Sequence, residues 1–139
     1  MDEQGQARST FQLMVLAAWA DGEMAAAEVL VTDEIIGRAP ELHQLDGKQD
    51  LARQAKERLD EEGLDAALAK AADGLTDRTH RELAFVYCAR VLEADGEIAQ
   101  EEFRVLTVLK RLFSLTEEDL ARLLAEAARL SGESNWPPP

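Results

Sequence analysis

Sulfur, aromatic rings and basic charge are all scarce in this sequence. Aromatic residues make up only 5% of the chain, so the side chains that favour strands are largely missing. The one cysteine, Cys88, has no internal partner for a disulfide, and nothing points to an oxidising compartment. Set between Tyr87 and Ala89 in an apolar run, Cys88 is expected to be a small core residue. The two histidines are His43, in a polar segment after Pro40, and His80, between Thr79 and Arg81. His43 is expected at the surface and His80 in a local hydrogen bond. On one helix the eight positions from His80 to Cys88 amount to about 12 Å of rise, too far for a thiolate–imidazole pair. The sequence also lacks an HExxH motif, a glycine-rich phosphate loop and a Cys/His zinc cluster. The expectation is a protein that is not an enzyme.

No apolar run approaches the ~20 residues that span a bilayer. The opening Met1-Asp2-Glu3-Gln4 is acidic and polar, unlike a signal peptide, so a cytoplasmic location is expected. Only 15 basic residues stand against 28 acidic ones, for a net charge of −13. That field repels phosphate backbones and anionic lipid. Nucleic acid and direct membrane insertion are therefore not expected. Cations, or a basic surface on an unknown protein partner, would be attracted; the oligomeric state is left open.

What is abundant is alanine, leucine, glutamate and arginine, within 46% hydrophobic residues, a helix-favouring mixture. A length of 139 residues suits one domain with a real core. Residues 1–8 are expected to be a flexible N-terminus, 9–130 a helical domain, and 131–139 a flexible proline-rich tail whose Trp136 is either solvated or docked on the domain. Ser9 with Gln12 is expected to cap the first helix, which carries Phe11, Val15 and Ala18 and ends at Asp21-Gly22. A second helix is expected over about Ala25 to Ile36, followed by a short turn of helix near Glu41. Asp46 should cap a third helix bearing Leu51, Ala55 and Leu59. A fourth follows from Leu64 to Ala72. Thr76 or Asp77 should cap a fifth, with Leu83, Val86, Tyr87 and Val91 inward. A sixth carries Val105, Leu109 and Leu112, and Thr116 with Asp119 caps a seventh.

One stretch occurs twice. Ala20-Asp21-Gly22-Glu23-Met24 returns 74 residues later as Ala94-Asp95-Gly96-Glu97-Ile98, and each aspartate has a glutamate seven positions on, Glu28 and Glu102. At the same offset Phe11 matches Phe85, Val31 matches Val105 and Ile35 matches Leu109. The expected architecture is all-α: about seven helices, with two pseudo-symmetric helix–turn–helix hairpins, about 9–37 and 76–113, packed as one bundle. Two readings of the turns stand side by side. In the first they are punctuation: glycine frees the backbone, and Glu28 and Glu102 fall at the third helical position, where a glutamate caps the helix start. In the second, Asp21, Glu28, Asp95 and Glu102 converge on a hard divalent cation, Ca²⁺ or Mg²⁺, with Glu23 and Glu97 as outer ligands. An EF-hand is excluded, because Trp19 and Ala17 stand where its loop needs Asp or Asn ligands, and in the second copy those positions hold Glu93 and Val91, of which Val91 has no oxygen to offer.

The repeated Ala-Asp-Gly-x-Met/Ile with its following glutamate resembles the TerB-like family of tellurite-resistance-associated domains, also present at the N-terminus of some membrane-anchored J-domain co-chaperones. The resemblance runs from about Phe11 to Leu130. It implies seven helices, a role in stress or tellurite and metal resistance, and a divalent metal on Asp21, Glu28, Asp95 and Glu102. Ala25 and Ala99 depart from the serine or similar cap of many members, and Met24 from the usual isoleucine. A metal-free acidic scaffold that binds another protein remains the alternative.

Overall fold

A chain so rich in good helix formers builds, among the described residues, eight helices: α1 Glu3–Ala18, α2 Ala26–Arg38, α3 Pro40–His43, α4 Lys48–Glu62, α5 Leu64–Ala72, α6 Arg78–Leu92, α7 Gln100–Leu112 and α8 Glu117–Ser131. The computed structural model describes residues 3–20, 26–94 and 100–131, with side chains at 4–20, 29–94 and 103–129. Among the described residues there is no strand. The all-α bundle stands as expected, with one helix more than seven. The eighth is the four-residue α3, the short turn of helix expected near Glu41, which Pro40 opens because its fixed φ suits a first helical turn.

Two helices form the centre. From Leu13 to Ala18 every residue of α1 is buried, and so is every residue of α6 from Ala84 to Leu92. Runs of six and nine residues exceed one helical turn, so neither helix turns a side to water there. They pack on each other; α4 and α5 cover α1, while α7 and α8 cover α6. The covering helices are one-sided. Helix α7 buries Val105, Leu106, Val108 and Leu109 and exposes Arg104, Thr107 and Arg111.

The start of α1 departs from the sequence expectation. The helix begins at Glu3, not at Ser9, and residues 4–8 are part of it. Gln6 is buried, and its Oε1 accepts the Thr76 amide at 3.4 Å. Ser9 lies mid-helix against Gly74, where an added Cβ would come within 1.8 Å of the Ser9 Oγ. Gln12, expected to complete a cap, donates from Nε2 to the Leu51 carbonyl of α4 at 3.2 Å. These partners lie 39 to 70 positions away along the chain, so a local capping pattern could not reveal them. Helix α4 likewise opens from Gly47, in the left-handed region at φ 72°, and not from Asp46.

Other boundaries follow the sequence. Asp77 caps α6 by accepting the His80 amide at 2.8 Å. Thr116 and Asp119 bond reciprocally, each amide donating to the other's side chain at 3.0 Å. Helix α7 ends in a Schellman turn: the Leu115 amide reaches the Lys110 carbonyl, and the Ser114 amide the Arg111 carbonyl. Its left-handed position is held by Ser114 at φ 56°, where glycine is the usual occupant.

Candidate functional site

The chain enters and leaves both acidic turns through matching frames. Helix α1 ends at Ala18 and α6 at Leu92; α2 runs from Ala26 to Arg38 and α7 from Gln100 to Leu112. Each pair of boundaries is separated by the 74 residues of the sequence repeat. The hydrogen bonds that close the two central helices repeat as well. The Trp19 amide reaches the Val15 carbonyl at 3.1 Å, and the Glu93 amide the Ala89 carbonyl at 2.9 Å. Ala20 reaches Ala17 at 3.3 Å, and Ala94 reaches Val91 at 3.2 Å. The buried positions agree: Phe11 with Phe85, Ala17 with Val91, Ile35 with Leu109.

Of the candidate ligands, Asp21, Glu23, Asp95 and Glu97 lie outside the described residues. Glu28 and Glu102 are placed as helix positions only: each is the third residue of its helix, α2 or α7. That position suits either reading of the turns. A glutamate there can accept the free amides of the helix start, and it lies at the positive end of the helix dipole. The donor set is entirely carboxylate, which matches hard cations and not the soft ones that prefer sulfur or imidazole. Among the described residues no group of three or more His, Cys, Asp and Glu could hold a metal ion.

The two frames differ in the residues beside them. Where the first hairpin has the buried Leu16 and the half-buried Trp19, the second has Arg90 and Glu93, at the 74-residue offset. Arg90 is only 8% exposed, an unusual position for a guanidinium. Burial raises the Glu93 carboxyl above its usual range, and the Arg90 charge partly offsets that rise. Trp19 instead lies under the Lys56 ammonium, 4.8 Å from the ring centroid. Sequence reading passed over Arg90 and met Glu93 only in excluding an EF-hand. The signal that could have found them is a failed match, two charged residues aligned with two apolar ones.

The other reactive side chains are committed to structure. Cys88 is fully buried, and burial pushes its thiol up to about 12. His80 Nδ1 sits 2.7 Å from the Asp77 carboxylate, beside the cap that Asp77 makes. His43 is exposed at the end of α3. A second feature that sequence reading did not single out is apolar and exposed. Val29 on α2 and Phe103 on α7 are matched positions, each following its candidate glutamate, and both are solvent-facing, as is Leu30.

A helical bundle in which two helix pairs, α1 with α2 and α6 with α7, repeat at one offset around two acidic segments of sequence defines the class. The family model described as "Tellurite resistance protein TerB" matches residues 7–125, and the chain belongs to the TerB family. No curated protein and no solved structure matches it. No helix among the described residues is long and apolar enough to cross a membrane.

Proposed function

We propose that this TerB-family chain is a non-enzymatic, cytoplasmic binding domain of a tellurite-resistance or metal-stress system. It takes one hard divalent cation, Ca²⁺ or Mg²⁺, through Asp21 and Glu28 of the first hairpin and Asp95 and Glu102 of the second. The observation that carries the reading is the matched frame. Helix ends, helix starts and closing hydrogen bonds repeat at one offset around both turns. Two acidic pentapeptides, 21–25 and 95–99, thus span equivalent anchor points. Helices α1 and α6, which lead into the turns, pack on each other, and the Gln6–Thr76 bond sets their beginnings side by side. A cation between the turns would relieve the repulsion among four carboxylates, the chemistry that a purely helix-ending role leaves without use.

A metal-free scaffold is favoured by a different observation, the exposed apolar pair Val29 and Phe103 with Leu30 beside it. Thermal unfolding separates the two. A cation site predicts that Ca²⁺ or Mg²⁺ at about 100 times its dissociation constant stabilises the protein by about 2.7 kcal/mol. The stabilisation should vanish in Asp21→Asn/Asp95→Asn. A scaffold predicts only the general screening of a −13 chain, which monovalent salt reproduces.

A further inference from the structure

We propose that the α7–α8 face binds a second copy of this chain, with α8 packed antiparallel on its own equivalent about a two-fold axis at Leu124. The face is open because α7 packs on α5 and α6, and α8 on α6, while the two do not close fully on each other. The groove between them measures about 260 Å³ and is lined by Phe103, Leu106, Thr107, Leu120 and Leu124, with the Lys110–Glu117 ion pair at one end. The short connection from Leu112 to Glu117 makes the two helices antiparallel neighbours. Counted back from the ion pair, Phe103 therefore falls beside Leu124. Phe103 is 50% exposed while Leu106 beneath is closed off. On α8, positions 120, 121, 124 and 128 fall within about 100° of one another. Leu120 and Leu124 are half-buried there, and Ala121 and Ala128 are exposed. An apolar helix side beside a half-exposed ring is the kind of surface that another protein covers.

The occupant follows from charge. A chain of net charge −13 repels its own copies over most of its surface. Residues 103–129 are the exception, with five basic against four acidic side chains, so two copies can approach there. The order of those charges along α8 then selects the orientation. Arg122 and Glu126 stand at equal distances on either side of Leu124, and so do Asp119 and Arg129. Each pair is opposite in sign. An antiparallel pairing centred on Leu124 sets Arg122 of each copy opposite Glu126 of the other, and Asp119 opposite Arg129. A parallel pairing in register would set every charge against its like, which is costly. The same antiparallel symmetry places Leu120 opposite Ala128 of the second copy, large against small, as interdigitating helices require. It also opposes the two helix dipoles, bringing the acidic first turn of one α8 near Arg129 in the last turn of the other. Within one chain Arg122 is bonded to Glu82 and Arg129 to Glu126. Exposed ion pairs of this kind are worth little, so sharing them across the axis costs little. A foreign helix would match this pattern only by coincidence; a second copy matches it by symmetry.

The test is analytical ultracentrifugation of the full chain over a concentration series, at physiological salt and with chelator present, so that no cation enters the result. The mass should rise with concentration from one chain to two. Arg122→Glu and Glu126→Arg each set like charges together at both symmetric contacts, and each should weaken association by about tenfold or more. Mixed in equal amounts, the two variants should associate again, because a pair with one copy of each has opposite charges at both contacts. A defect of folding would not be repaired by mixing. Leu124→Lys, which sets a charge against itself on the axis, should leave a single chain whose helix content, read by circular dichroism, is unchanged. A single chain at every concentration up to about 1 mM would overturn the proposal. So would association that survives both charge variants, or variants that lose association singly and do not regain it when mixed.

Discussion

The two hairpins share a backbone plan and differ in what they bury. In the first, the described end of α1 has Leu16 in the core and Trp19 under Lys56. In the second, the same places hold Arg90 and Glu93, a charge pair beside the acidic turn. Duplication has preserved the helix frame, which depends on matched apolar positions such as Phe11/Phe85 and Ile35/Leu109. It has not preserved the electrostatics next to the turns. The described residues leading into 95–99 thus carry a positive charge that those leading into 21–25 do not.

The matched frame is broken most strongly at its shared centre. Phe85→Ala and Phe11→Ala should each cost about 3–5 kcal/mol, since each removes a buried ring between packed helices. Chemical denaturation of both variants would show whether the halves contribute equally. The asymmetry is sharpened by exchanging the odd pair. Leu16→Arg buries a charge without a built partner and should cost about 3–5 kcal/mol. Arg90→Leu/Glu93→Trp makes the second hairpin like the first and should be neutral or stabilising by about 1–4 kcal/mol, whereas Arg90→Leu alone leaves the partly buried Glu93 without its neighbouring charge and should be destabilising. A large loss in the double variant would show that the guanidinium is held by bonds on which the fold depends.

Smaller effects come from the helix ends. Ser114→Gly should stabilise by about 1 kcal/mol, because it relieves a left-handed residue in the Schellman turn of α7. Gly63→Ala, at φ 91°, should destabilise by a similar amount, about 1–2 kcal/mol. Thr116→Ala, which removes the cap of α8, should cost about 1 kcal/mol, read as a fall in melting temperature. Asp119, the other half of that cap, gives a pH signature. The Thr116 amide donating to its carboxylate holds it at about 2, below the usual 3.8. A depressed folded value means that the contribution is complete above the unfolded value and is lost as pH falls through the folded one. The acid limb of stability between about pH 4 and pH 2 should thus flatten in Asp119→Asn relative to the parent.

Much of this was legible in the residues, for identifiable reasons. The internal repeat was visible because a five-residue motif and its apolar partners recur at one offset, and the described helix boundaries keep that offset. Asp77 and the Thr116–Asp119 pair were legible because their partners are three positions away. The start of α1 was not, since Gln6 and Ser9 are held by Thr76 and Gly74, far along the chain. The gap between α7 and α8 was also hidden. Leu120 and Leu124 continue the apolar stripe of Leu123 and Ala127, and spacing alone does not say which leucines meet the core. For the acidic turns the sequence supplied the candidate carboxylates and the structure supplied the equal frames on either side.

Calorimetric titration of chelator-treated protein with Ca²⁺, Mg²⁺, Mn²⁺ and Zn²⁺ at physiological salt tests the central claim most directly. The account predicts saturable binding of one Ca²⁺ or Mg²⁺ per chain, abolished in Asp21→Asn and in Asp95→Asn alike, because both hairpins hold the same ion. Absence of binding to the unaltered protein, or binding indifferent to both substitutions, would contradict it and return both turns to helix punctuation.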